Sequence, residues 1–155
     1  MDTKETTKRL ETRFGTLSTD DVETISVPNG LLGFEQYKQY FILENAEHQP
    51  FQWLIAVDKP DLNFIAVNPL LFFPDYAPNI SKTDLKDLKI DEPSKVRVLT
   101  LVTLENPIDK TTVNLSGPIF INKSSNIGKQ IALTGDSYST KHNLFKSKLL
   151  QVKED

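Results

Sequence analysis

Gln52-Trp53-Leu54-Ile55-Ala56-Val57 and Leu62-Asn63-Phe64-Ile65-Ala66-Val67 are apolar runs separated by Asp58-Lys59-Pro60-Asp61. Both are rich in β-branched and aromatic residues, which suit a pleated, half-buried surface. The intervening Asp and Pro are turn formers. The pair reads as a β-hairpin. Downstream, Val96-Arg97-Val98-Leu99-Thr100-Leu101-Val102-Thr103 is the clearest strand of the chain. Val96, Val98, Thr100 and Val102 fall on one face, Leu99 and Leu101 on the other. Apolar residues on both faces predict a central strand covered from both sides.

Working outward, strands are predicted over 12–17 (with a glycine interruption at Gly15), 23–27, 40–43, 112–115, 118–121 and 129–133. Pro28-Asn29-Gly30 stops the second of these, and Gly30 and Gly33 mark a bend that needs positive φ values. Phe34-Glu35-Gln36-Tyr37 reads as a single helical turn. Ser81 to Leu88 is the best helix: Ser81 caps it, and Asp84 stands at the third position in a near capping-box pattern. About nine short strands with turn signals every ten residues or so indicate an all-β, antiparallel barrel-like domain with one or two short helices. The predicted organisation is a polar N-terminal extension over 1–9, one barrel domain over 10–144, and a C-terminal tail or short amphipathic helix over 145–155.

The 155 residues are 38% hydrophobic and 25% charged, which suits one soluble domain and excludes a disordered chain. No apolar run approaches the ~20 residues that span a bilayer, and the polar first residues do not resemble a signal peptide. There is no cysteine, so disulfides, thiolate catalysis and cysteine-ligated zinc or iron–sulfur centres are excluded. A cytoplasmic protein without membrane association is expected.

The net charge of −3 hides an uneven distribution. Between residues 14 and 80, Lys38 and Lys59 face nine acidic residues, a local balance of −7. Direct nucleic-acid binding needs a basic footprint, so none is expected. An acidic field steers a basic partner, and it also keeps a domain soluble.

Catalytic signatures are sparse. The two histidines, His48 and His142, lie in polar segments. Ser139 or Asp136 near His142 leaves a small hydrolase or lyase as an alternative, without a nucleophile-elbow sequence to support it. No glycine-rich dinucleotide loop, Walker A sequence, HExxH or EF-hand pattern is present. No catalytic residue, metal or cofactor is expected. A barrel with aromatics leaves an OB-like oligonucleotide binder as a third possibility.

The remaining oddity is Leu70-Leu71-Phe72-Phe73-Pro74-Asp75-Tyr76-Ala77-Pro78. Its prolines keep it out of a central strand, and aromatics on a stiff loop resemble interface anchors. At least one of Phe72 and Phe73 is expected to plug a barrel end; Asp75 and Tyr76 are expected outside the core.

Several stretches, in this order, resemble the FliW family of flagellar assembly factors. They are Glu11-Thr12-Arg13-Phe14-Gly15, Pro28-Asn29-Gly30-Leu31-Leu32-Gly33-Phe34-Glu35, Pro50-Phe51-Gln52-Trp53-Leu54 and Phe72-Phe73-Pro74-Asp75-Tyr76. Thr112-Val113-Asn114-Leu115, Gly117-Pro118-Ile119, Gly128-Lys129-Gln130 and Tyr138-Ser139-Thr140-Lys141-His142 complete the set. Leu32, Asn68, Lys141 and Asn143 depart from residues common in the family. The resemblance implies a non-enzymatic, cytoplasmic β-barrel protein with two alternative partners. One is flagellin, bound through its C-terminal region; the other is CsrA, the RNA-binding repressor of flagellin translation. Sequestering CsrA relieves repression, and flagellin restores it by occupying the FliW protein. Motif and composition together place Phe34, Glu35, Phe73, Pro74, Asp75 and Tyr76 near a protein-binding face. A monomer is expected.

Overall fold

The structure, a computed structural model, describes residues 9–12, 14–18, 20, 22–92, 95–135 and 137–145. Arg13, Asp136, most of the polar extension and nearly all of the C-terminal tail lie outside the described residues.

The hairpin of the two apolar runs forms as read. Strands β5 (Gln52–Ala56) and β6 (Asn63–Val67) pair antiparallel, with Trp53 opposite Ile65 and Leu54 opposite Phe64. Strands β3 (Thr24–Ser26) and β4 (Gln39–Glu44) extend the sheet on one side, and β7 (Val96–Thr103) on the other. Next come β8 (Thr112–Val113), β9 (Ile119–Asn122), β10 (Ile127–Gln130) and β11 (His142–Asn143). The order β7-β6-β5-β4-β3-β10-β9 returns to β7 and closes a seven-stranded barrel. Its one parallel seam joins β10 to β3 at Ile127 and Ser26. Closure leaves these strands no free edge for unwanted pairing. Strands β8 and β11 branch from the far end of β7.

Alternation along each strand explains how so short a chain builds several cores. Inward residues, among them Ile25, Tyr40, Ile42, Leu54, Ala66, Leu99 and Ile119, fill the barrel. Outward residues form three further clusters, each beneath its own cover. Strands β1 (Arg9–Thr12) and β2 (Gly15–Ser18) make a separate hairpin. That hairpin packs Leu10, Phe14 and Leu17 over Phe41, Ile55 and Val57. The 12–17 run is therefore not one strand: Gly15, at φ +100°, turns the chain back on itself. Helix α1 (Lys82–Asp87) brings Leu88 onto Phe120 and Ile131. Ser81 Oγ accepts from the Asp84 N–H at 3.0 Å, as its capping position predicts. The Asn122 side chain donates to the Leu88 and Lys89 carbonyls beyond the helix end. The third cover is the 69–76 segment with residues 138–145, over Val67, Val102 and Val113. Strand β7 is thus apolar on both faces because Leu99 and Leu101 look inward while Val96, Val98 and Val102 lie under two covers.

Further local expectations change. Phe34–Tyr37 is a hydrogen-bonded turn, with the Tyr37 N–H on the Phe34 carbonyl at 3.1 Å, and not a helix. The strand read at 129–133 starts two residues earlier and stops at Gln130, because its pairing with β9 ends where Gln130 meets Ile119.

Candidate functional site

The aromatic, proline-rich segment leaves β6 through a 3-10 turn, Pro69–Leu71. Asn68 caps it, Oδ1 accepting from the Leu70 N–H at 3.0 Å. Phe72 is buried against the outer face of the barrel, stacked on Phe51 at 6.3 Å and edge-on to Phe145 at 6.1 Å. Phe73 is half-buried, its ring 5.7 Å from His142. Neither phenylalanine plugs a barrel end. Both lie on the outer face, where Val67 and Val102 project apolar surface that needs a cover. A turn closed by the Tyr76 N–H and the Phe73 carbonyl leaves Pro74 and Asp75 exposed at its tip.

Tyr76 belongs to the core, contrary to the sequence expectation. It is 7% exposed, its hydroxyl donates to the Leu115 carbonyl at 2.6 Å, and its ring meets Tyr138 edge-on at 4.7 Å. Burial, and secondarily the Tyr138 phenol, push its pKa well above the ordinary tyrosine range. Tyr138 Oη in turn accepts from the Ala77 N–H at 3.0 Å. A phenol suits this place because its ring fills the outer cluster while its hydroxyl satisfies a carbonyl. Tyr76 therefore positions the Pro74-Asp75 tip rather than presenting its own ring.

Phe34 and Glu35 lie elsewhere, in the 28–38 loop that joins β3 to β4. Phe34 packs edge-on to Phe64 at 5.2 Å, against the barrel-interior cluster. Glu35 is exposed and Oε2 accepts from the Gly33 N–H at 3.1 Å. The N–H groups of Gly33 and of Glu35 itself, with Lys38, hold its carboxyl below the usual range. Gly30 has φ +70°, and a Cβ there would sit 2.4 Å from Glu35 Cα, so the bend admits only glycine. The structure thus gathers Phe73 to Tyr76 in one cover and leaves Phe34, against the barrel-interior cluster, and exposed Glu35 in a separate loop.

Three side chains to which the sequence reading gave no structural role organise these regions. Gln130 accepts from the Leu32 N–H at 2.7 Å and donates to the Gly117 carbonyl at 2.9 Å, tying the 28–35 loop to the β8–β9 connection. Arg97, inward-facing at the opposite barrel end, donates to Glu23 and Glu44 at 3.2 Å and to the Gln52 side chain. Its signal was legible: a charged residue in register with inward Leu99 and Leu101 must find partners. Trp53 Nε1 donates to His48 Nδ1 at 3.2 Å, so His48 orients an aromatic ring. Gln130 stands in a family-like stretch, but no comparable signal gives it or His48 these roles.

The Ser139–His142 form of the hydrolase alternative gains no constellation, and Asp136 lies outside the described residues. Ser139 Oγ accepts from the Lys141 N–H at 3.0 Å, His142 packs on Phe73, and no hydrogen bond joins the two side chains among the described residues. Among the described residues there is no group of three metal-ligating side chains, and no helix is long and apolar enough to cross a membrane.

Comparison with known proteins adds a family. A family model described as "FliW protein" matches residues 8–144. The "Flagellar assembly factor FliW" of Natranaerobius thermophilus is 41% identical over 133 residues, covering 85% of this chain and 88% of that protein. The protein of the same name from Alkaliphilus metalliredigens is 40% identical over 135 residues, covering 86% of this chain and 83% of its own length. A crystal structure of the flagellar assembly factor FliW superposes with a TM-score of 0.82 at 33% identity, covering 88% of this chain and 96% of that one.

Proposed function

The chain belongs to the FliW family of flagellar assembly factors, and from that premise we propose that it acts as a non-catalytic, cytoplasmic partner switch. It binds the C-terminal region of flagellin or, alternatively, the translational repressor CsrA. Holding CsrA relieves repression of flagellin synthesis; accumulated flagellin displaces it and restores repression. The observation that carries this is the family match, which spans the whole closed barrel and its covers. The acidic balance of residues 14–80 is consistent with it, since an RNA-binding partner must carry Lys and Arg. Repulsion of RNA phosphates by that acidic surface adds to the antagonism and weakens with salt.

The contact face is assigned to Pro74 and Asp75 at the exposed tip, held by Phe73 and Tyr76, with Phe34 and Glu35 at the barrel end as a second contact. The tip is preorganised by the Tyr76 and Phe73 anchors, which lowers the ordering cost of association. Calorimetric titration of the purified chain with CsrA and with flagellin tests the function, and Asp75→Lys tests the site. Binding of both partners, each displacing the other, is expected, with weaker binding by the variant. A chain that binds neither refutes the switch. Wild-type affinity of Asp75→Lys for both partners removes the tip from the site.

A further inference from the structure

The Pro50-Phe51-Gln52-Trp53-Leu54 stretch divides its side chains between two tasks. Gln52 and Leu54 point inward, to Arg97 and the barrel core. Phe51 and Trp53 point outward and line a groove of about 400 Å³ that, among the described residues, none of the three covers fills. Ile65 and Leu104 complete its apolar lining, with Glu47 and His48 beside them. Trp53 is fixed in place: its indole N–H is held by His48, and Phe14 packs against its ring at 4.8 Å. Leu104 is 50% exposed, a large apolar side chain left at the surface. Phe51 also stacks on Phe72, so the groove is continuous with the aromatic segment that carries the Pro74-Asp75 tip. The exposed Leu71 adjoins Phe72 in the same segment.

Charge narrows the occupant. Among the described residues the lining includes Glu47 and no Lys or Arg, and exposed Glu105 follows Leu104. All of the lining except Leu104 comes from the stretch with a balance of −7. We propose that this groove is the docking site for the basic RNA-binding partner, which inserts a large apolar side chain between Trp53 and Leu104 and sets Lys or Arg against Glu47 and Glu105. The proposal rests on the partner-switch function given above and assigns the repressor, not flagellin, to the groove. A fixed aromatic in a partly desolvated groove is the kind of group that dominates an interface, and the acidic rim accelerates encounter with a cationic surface.

The test uses the full chain with purified CsrA and, separately, flagellin. Trp53 is the chain's single tryptophan, so a tryptophan-free form of CsrA lets its emission report the groove directly. CsrA binding is expected to shift Trp53 emission and shield it from acrylamide. Leu104→Glu, a change at an exposed position, is expected to raise the Kd for CsrA at least about tenfold. Glu47→Lys is expected to slow association and flatten its salt dependence. Asp91→Lys, which makes the same charge change beside α1, is expected to leave binding as in the wild type. Thermal melts check that each variant is folded. Unchanged CsrA affinity in folded Leu104→Glu overturns the docking site while leaving the switch standing. Loss of flagellin binding with CsrA binding intact overturns the assignment of the occupant. A wild-type chain that binds neither protein overturns the switch and the docking site together.

Discussion

Replacing Tyr76 by Phe tests whether the tyrosine of the aromatic segment is a structural anchor. The substitution keeps the ring against Val67, Val102 and Tyr138 and removes one hydroxyl. The Leu115 carbonyl, accepting at 2.6 Å from a residue only 7% exposed, then loses this buried donor. Leaving one such acceptor unsatisfied costs about 1–3 kcal/mol. At about 2 kcal/mol per molar urea, a loss of about 2 kcal/mol lowers the midpoint by about 1 M, and Tm by about 4–8 °C for a domain of this size. Alkaline pH sharpens the test. The Tyr76 pKa is raised by burial, so its contribution is complete below the unfolded value of about 10 and is lost as pH rises through the folded value. Between about pH 10 and the folded value each such buried phenol contributes a fall of about 1.4 kcal/mol per pH unit. Tyr40, raised to about 12 by burial and by Tyr37, contributes a second. The Phe variant should therefore be less stable at neutral pH and lose stability less steeply between about pH 10 and 11. Urea melts at pH 7, 10 and 11 measure both effects. Equal midpoints at pH 7, or parallel alkaline limbs, would refute the buried hydrogen bond as the reason for this residue.

Gly30→Ala is expected to cost at least about 2 kcal/mol, because strain at positive φ adds to a backbone clash with Glu35. Gly15→Ala, equally left-handed but with nothing near its Cβ, should cost only about 1 kcal/mol; similar losses in paired urea melts would rule out the close approach. Arg97→Met should destabilise by about 1 kcal/mol, since its carboxylate partners are partly exposed, and the difference should shrink at high salt. Salt-independent stability differences would count against the barrel-end network. Lys129 holds Asp84 at 2.7 Å; it lowers the Asp84 carboxyl, and Asp84 followed by Asp87 raises Lys129. The Asp84 contribution is complete above about pH 3.9 and is lost as pH falls through its folded value; that of Lys129 is complete below about pH 10.4 and is lost above it. In Lys129→Met, the Asp84 resonance followed by NMR should titrate at higher pH; identical titration in both proteins would contradict the pairing.

Much of this protein was determined locally. The hairpin of β5 and β6 is written in two β-branched runs flanking an Asp-Pro turn, and the Ser81 cap in a serine three residues before Asp84. The double-sided burial of β7 was legible too, because apolar residues occupy both phases of its alternation. These features depend on side-chain period and backbone preference, which neighbouring residues alone supply. The family was legible from ordered short stretches, but their roles were not. Barrel closure depends on β9 reaching β7 and on the parallel seam at Ile127, contacts between distant segments that no local pattern encodes. Tyr76 reads as a surface anchor until Leu115, 39 residues away, supplies the carbonyl that makes it core. Gln130 reads as an ordinary polar strand residue until folding sets it between Leu32 and Gly117. Sequence thus determined which faces of the strands leave water. Only the tertiary structure decided which cover each lies beneath, because a buried polar group acquires its role from its hydrogen-bond partner, and these partners are brought together by barrel closure.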